Sequence, residues 1–115
     1  MKIAIIGGGS TYTPEAIEGL LNKAGNLGLD QITLMDIDPE RLSIVGDFVK
    51  RMARHAQSNV EILTTDNQRE AVDGASFVLT QFRVGKMPAR HQDILLGLRH
   101  NLIGQETTGI GGMAK

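Results

Sequence analysis

The chain has 115 residues, with 12 Lys and Arg against 13 Asp and Glu, three His and no Cys. This length suffices for one modest domain, and a formal net charge of −1 gives no broad positive surface for binding a nucleic acid. The absence of Cys excludes disulfides, and no apolar run approaches the roughly 20 residues that span a bilayer, so we expect a cytoplasmic protein without nucleic-acid or membrane partners.

The first predicted elements are a strand, a glycine turn and a helix. Residues 2–6 form an almost continuous apolar run, typical of a strand covered on both faces, and the glycines at 7–9 end it. Thr13 is predicted to cap the next helix, with Pro14 at its first position, and apolar residues then recur at helical spacing. Gly25 is predicted to end this helix.

The same alternation continues through the middle of the chain. A second strand is predicted over residues 31–35 and ends at Asp36, after which Asp38 and Pro39 repeat the capping signature. The apolar stripe of the second helix predicts an end near His55.

Two shorter elements and a last helix follow. A third strand is predicted over residues 59–64, and Asp66 is predicted to cap a short helix that ends at Val72. Residues 77–79 read as a fourth strand, and Pro88 is predicted to open a last helix before a glycine-rich segment.

Strands that alternate with helices predict a doubly wound parallel α/β sheet, a Rossmann-type domain with strand order 3-2-1-4. In this order the connections of the first and fourth strands leave in opposite directions, which opens a crevice at the carboxyl ends of the strands. Residues 7–12 and 80–87 are the loops that face this crevice, so we expect a ligand there.

The sequence from Gly7 to Tyr12 follows a strand and precedes a helix, as a dinucleotide-binding turn does. Gly7 would permit the tight turn, and Gly9 would let the backbone approach a pyrophosphate on the amides at the helix start. Tyr12 occupies the place of the third fingerprint glycine. The alternative is a tight turn that holds no ligand.

Asp36, at the end of the second strand, stands where a carboxylate accepts hydrogen bonds from the two hydroxyls of an adenosine ribose. A carboxylate there repels a 2′-phosphate, which favours NAD over NADP. The alternative is an Asp that only caps the following turn.

Three cations, Arg83, Lys86 and Arg90, follow the fourth strand closely. In a nearly neutral chain, cations in a loop that faces the crevice suggest an anionic substrate, and Arg suits bidentate contact with phosphate. A solvated surface loop is the alternative. The three His residues have no metal-ligand spacing, so no metal site is predicted in this chain.

Three segments of the chain together resemble glycoside hydrolase family 4, in particular its 6-phospho-β-glucosidases. They are Ile6 to Glu15, Thr80 to Gly85 together with Ala89 and Arg90, and Ile103 to Gly109. The resemblance implies a bound NAD that oxidises the C3 hydroxyl of a 6-phosphorylated glucoside, elimination of the aglycone by a tyrosine base, addition of water and return of the hydride. It also implies Mn²⁺, held by a Cys and a His beyond residue 115.

The resemblance further implies roles for individual residues. The cofactor contacts that it implies are Gly7, Gly9, Ser10, Thr11, Asp36, Thr80 and Gln81, the last two on the side of the nicotinamide. Arg83 and Arg90 correspond to substrate-binding residues, and Gln105 and Glu106 to a loop that tunes the catalytic base. No catalytic residue of the family itself is expected within these 115 residues.

We therefore expect residues 1–115 to form the NAD-binding N-terminal domain of a longer enzyme, inactive by itself. The open edge of the fourth strand predicts self-association or pairing with another chain. Two alternatives remain at this point: an NAD-dependent dehydrogenase of the lactate or malate type, and a nucleotide-binding module without catalytic activity.

Overall fold

The structure is a computed structural model that describes residues 1–103. The chain divides into two units, residues 1–82 and residues 83–115. The elements of the first unit are β1 (Lys2–Ile6), α1 (Thr13–Leu27), β2 (Gln31–Met35), α2 (Pro39–His55), β3 (Glu61–Thr65), α3 (Gln68–Val72) and β4 (Phe77–Thr80). The second unit contains α4 (Lys86–Arg99).

The four strands form one parallel sheet in the order β3-β2-β1-β4, which confirms the predicted order. Ile5 in the middle of the sheet lies opposite Leu34 of β2 and Leu79 of β4. Because all strands run the same way, their carboxyl ends meet at one edge of the sheet, where the loops after β1, β2 and β4 begin.

Helices cover the two faces of the sheet unequally. On one face α1 and α2 pack over a core of aliphatic residues centred on Ile5, Ile17, Ile32 and Leu34, which are all fully buried. On the other face, α3 contributes Ala71 to a small cluster with Ile6 and Met35. Ile5 and Ile6 belong to different clusters because successive side chains of a strand point to opposite faces.

The ends of α1 differ from the prediction. The helix continues past Gly25 to Leu27, and Gly28 is the residue in the left-handed conformation, with φ of 61°. The amide of Leu29 donates to the carbonyl of Ala24 at 2.9 Å, and Leu29 is buried, which is a Schellman termination. The prediction of an end at Gly25 was wrong because the apolar residue that anchors the terminus follows Gly28.

Several other boundaries also moved. Thr13 is the first residue of α1 rather than its cap, since the cap position falls on Tyr12 and carries no side-chain hydrogen bond. Asn67 caps α3 in place of Asp66, and α4 begins at Lys86, before Pro88. Asp38 caps α2 as predicted, and α2 ends at His55 as predicted.

Strand β4 is the least covered part of the sheet. Phe77 and Leu79 point to one face and Val78 to the other, and their exposed fractions are 60%, 42% and 47%. No strand among the described residues pairs with the outer edge of β4. The expectation that this edge pairs with another chain stays a prediction. No helix in the described part of the chain combines the length and the apolar character needed to cross a membrane.

Thr33, in the middle of β2, is 3% exposed, and its hydroxyl has no hydrogen-bond partner among residues 1–103. Thr33→Val is therefore expected to raise the free energy of unfolding by about 1 kcal/mol, because it removes a buried unpaired polar group at nearly constant volume. Urea denaturation followed by circular dichroism measures this change. Thr33→Ser, which keeps the hydroxyl and loses the methyl group, is expected to destabilise the fold. If Thr33→Val destabilised the fold, this would contradict the interpretation that the Thr33 hydroxyl is buried without a partner.

Candidate functional site

The turn between β1 and α1 is tied to the neighbouring strand by its own backbone. The amides of Gly7 and Gly8 both donate to the carbonyl of Met35, each at 2.8 Å, at the end of β2. The amide of Ser10 closes the turn on the carbonyl of Gly7 at 3.0 Å. The turn is thereby fixed at the carboxyl edge of the sheet, as the sequence predicted.

Each of the three glycines is required by a different close approach. A Cβ on Gly7, whose φ is +90°, would lie 2.7 Å from the carbonyl oxygen of Gln81. A Cβ on Gly8 would lie 2.8 Å from the Cβ of Leu34, and one on Gly9 would lie 2.9 Å from Oδ2 of Asp36. The glycines therefore admit the chain's own atoms, so packing alone explains their presence whether or not a ligand binds.

Asp36 lies directly beside the turn, and both of its carboxylate oxygens accept backbone hydrogen bonds. Oδ2 accepts from the amide of Gly9 at 2.8 Å, and Oδ1 accepts from the amide of Asp38 at 3.0 Å. Asp38 in turn accepts from the amide of Arg41 at 3.1 Å and caps α2. Asp36 thus does cap the turn that follows it, and it also holds the glycine turn. Its role toward a ribose stays a prediction, for which each oxygen keeps a further lone pair.

The turn that leads into α1 contains a backbone amide, that of Thr11, which makes no hydrogen bond within the described residues. Among the described residues, the amide of Thr11 has no acceptor within hydrogen-bonding distance, while the amide of Tyr12 donates to the Ser10 hydroxyl at 3.3 Å. Thr11 is exposed and Ser10 is half-buried. Thr11 directly precedes Tyr12, the cap position of a helix of 15 residues, and the N-terminus of a helix stabilises an anion.

The loop after β4 reaches the same turn through Gln81. The backbone amide of Gln81 donates to the carbonyl of Ile6 at 2.9 Å and extends the pairing of β4 with β1. Its side-chain amide donates to the hydroxyl of Thr13 at 2.5 Å and to the carbonyl of Gly7 at 3.4 Å. Thr80, the last residue of β4, lies opposite Ile6. The structure therefore brings Gly7, Gly9, Asp36 and Gln81 together.

Sequence patterns missed Thr13 and Gly8 as members of this site. Thr13 is fully buried, and its hydroxyl accepts a hydrogen bond from the side-chain amide of Gln81. Its place before Pro14 had predicted a helix cap instead. Gly8 has the closest approach to β2. The run of three glycines was the only signal for Gly8, and no local signal marks a contact between residues 13 and 81.

The other predicted site residues belong to the second unit or lie outside the described residues. Arg83 is half-buried and forms an ion pair with Asp93, with 3.7 Å between Nη1 and Oδ2. Arg90 lies in α4, is half-buried and has an interaction partner of its own. Gln105 and Glu106 are outside the described residues. The substrate role of the two arginines stays a prediction.

Within residues 1–103 there is no cluster of three His, Asp or Glu side chains that could hold a metal ion.

Comparison with known proteins matches the chain to one family model and to several relatives of known name. The model of the family described as "Family 4 glycosyl hydrolase" matches residues 2–115. The 6-phospho-beta-glucosidase BglT of Thermotoga maritima is 44% identical over 114 residues, which are 99% of this chain and 27% of that protein.

Solved structures agree with the sequence matches. The structure of the Thermotoga maritima 6-phospho-beta glucosidase with manganese, NAD+ and glucose-6-phosphate superposes with a TM-score of 0.86 at 44% identity, over 99% of this chain and 28% of that one. A 6-phospho-alpha-glucosidase from gut microorganisms in complex with NAD and Mn2+ gives a TM-score of 0.83 at 34% identity, over 98% of this chain and 26% of that one. The chain thus spans about a quarter of the length of these relatives.

Proposed function

This chain belongs to family 4 of the glycosyl hydrolases, and we propose that it forms the NAD-binding part of a 6-phospho-β-glucosidase. The family match removes the support for a dehydrogenase of the lactate or malate type. The relatives with the named activity are almost four times as long as this chain. The substrate and the catalytic groups of a whole enzyme that contains this chain are therefore proposed together with its activity.

One observation carries the cofactor assignment: the carboxylate of Asp36 accepts from the amide of Gly9 at 2.8 Å. This contact supports the proposal because it holds a carboxylate, the kind of group that accepts hydrogen bonds from ribose hydroxyls, next to a turn that leads into a helix N-terminus. Ribose and pyrophosphate are neighbouring groups of NAD, so a carboxylate and a helix start placed side by side fit both.

The described residues fit NAD in three respects. The Thr11 amide, in the turn that leads into α1, is available to a phosphate oxygen, and Asp36 keeps lone pairs for the ribose. Gln81 lies on the β4 side of the turn, which supports the expectation that Thr80 and Gln81 stand near the nicotinamide. Bound there, NAD supplies a reversible oxidation of the C3 hydroxyl of the sugar, which acidifies the proton on C2.

The cations Arg83 and Arg90 support a phosphorylated substrate. Guanidinium groups pair with phosphate through two parallel hydrogen bonds, and glucose-6-phosphate is present in the Thermotoga maritima structure. A sugar phosphate is charged and does not cross a membrane unaided, so we place the reaction in the cytoplasm. The described residues offer no metal site, and we assign them no role toward manganese.

Two measurements test the proposal. Calorimetry with the 115-residue chain is expected to show binding of NAD. The longer polypeptide that contains this chain is expected to release glucose 6-phosphate from a 6-phosphorylated β-glucoside only when NAD and Mn²⁺ are both added. Hydrolysis that survives the removal of both, or NADH that accumulates with turnover, would refute the assignment, because the glycosidase returns its hydride to the sugar.

A further inference from the structure

The loop after β1 and the loop after β4 are joined by one side chain. Gln81 follows β4, yet its amide nitrogen reaches across to the first helical residue, Thr13, at 2.5 Å, and to the carbonyl of Gly7 at 3.4 Å. A carbonyl only accepts hydrogen bonds, so the nitrogen of the Gln81 amide has to face Gly7, and the amide oxygen turns away from it.

This contact is anchored at both ends. Thr13 is fully buried at the start of α1, and the backbone of Gln81 is hydrogen-bonded to Ile6 of β1 at 2.9 Å. The Gly7 turn is also packed against the carbonyl of Gln81, since a Cβ on Gly7 would lie 2.7 Å from that oxygen. Gln81 therefore fixes both the path of the turn and the position of the first residue of α1.

We propose that Gln81 and Thr13 are positioning residues: they hold the first residue of α1 and the turn before it so that a free amide of this turn meets the linked phosphates of the coenzyme. The proposal rests on the proposed NAD site. The amide concerned is that of Thr11, which lies between the two anchored positions, Gly7 and Thr13. Loss of the Gln81–Thr13 hydrogen bond lets this amide shift relative to the ribose site at Asp36, which is held separately by Gly9 and Asp38.

The test compares a ligand with phosphates and one without. ADP and adenosine are titrated into the chain well below its unfolding temperature, with NMR chemical shifts as the signal. Thr13→Val and Gln81→Leu are each expected to raise the Kd for ADP about tenfold, the effect of one displaced hydrogen bond to an anion, and to leave the Kd for adenosine within twofold. Thr13→Ser keeps the hydroxyl and is expected to restore the ADP affinity.

Gln31 provides a matched control. Its side-chain amide donates to Glu61 at 2.7 Å, between the first residues of β2 and β3 at the opposite edge of the sheet. Gln31→Leu removes a similar amide hydrogen bond and is expected to leave the affinities for both ligands unchanged.

Three outcomes would overturn the inference. Unchanged ADP affinity in both Thr13→Val and Gln81→Leu would show that the contact positions nothing. An equal loss for ADP and adenosine would show general damage to the site. A wild-type chain that binds neither NAD nor ADP would overturn the proposed function and the positioning role with it, whereas wild-type binding with unaffected variants overturns the positioning role alone.

Discussion

Gly8→Ala is expected to lower the free energy of unfolding by about 3 kcal/mol, the upper part of the range for overpacking a buried position. The added Cβ would lie 2.8 Å from the Cβ of Leu34 and 3.1 Å from both the Cα of Leu34 and the amide nitrogen of Met35. Two of these atoms are backbone atoms of a central strand, and the third belongs to the fully buried side chain of Leu34. Moving the strand or this side chain away from the added Cβ is therefore costly. The turn cannot retreat either, because the Gly8 amide is bonded to the Met35 carbonyl.

The matched control is Gly19→Ala in α1. Gly19 is exposed, and nothing lies within 4 Å of an added Cβ. Because alanine restricts the unfolded chain and favours a helix, this variant is expected to gain roughly 0.5–1 kcal/mol. Thermal and urea unfolding of the two variants measure the contrast, and a Gly8→Ala protein as stable as wild type would contradict the close approach of the turn to β2.

Asp36→Ala is expected to raise the Kd for NAD about 100-fold, and the Kd for NADP by clearly less. The carboxylate holds the Gly9 amide, and under the proposed function it also accepts from two ribose hydroxyls, each charge-assisted bond contributing about 1.5 kcal/mol or more. NADP binding is weakened in the same way by the loss of support for the turn. It is also favoured, because the repulsion between the carboxylate and the 2′-phosphate disappears. Calorimetric titration of both coenzymes measures the ratio, and equal losses would count against the ribose role.

Asp38→Ala is the control for this prediction. Asp38, like Asp36, follows β2 closely, but its carboxylate accepts from the backbone amide of Arg41 and caps α2. Removal of the cap is expected to cost about 1 kcal/mol of stability and to leave the Kd for NAD near its wild-type value. A comparable loss of NAD affinity in both variants would show that the loop after β2, and not the Asp36 carboxylate, is what matters.

The strand order could be predicted from the sequence because it depends on the alternation of apolar runs and on the handedness of crossovers. Asp38 as a helix cap was predictable for a similar reason: its acceptor serves an amide only three residues away. Such features are local, and their signals are found within a few residues.

The features that sequence patterns missed depend on contacts between distant segments. Thr13 has the sequence context of a cap, yet its hydroxyl binds Gln81, 68 residues further along the chain. The end of α1 depends on which glycine is followed by a residue that can be buried. Gly28 ends the helix because Leu29, which follows it, is buried. That signal, a glycine followed by a leucine, was present in the sequence.

The bond between Asp36 and the Gly9 amide also limits how the coenzyme preference of this fold can evolve or be engineered. Under the proposed function, an exchange of Asp36 for a residue without a side-chain acceptor removes the negative charge that disfavours a phosphorylated ribose, and it also removes the acceptor for the Gly9 amide. A successful switch therefore requires a neutral acceptor of similar reach, such as the carbonyl oxygen of Asn, rather than a plain deletion of the carboxylate. In the proposed site, the choice between coenzymes and the shape of the glycine turn therefore both depend on this one side chain.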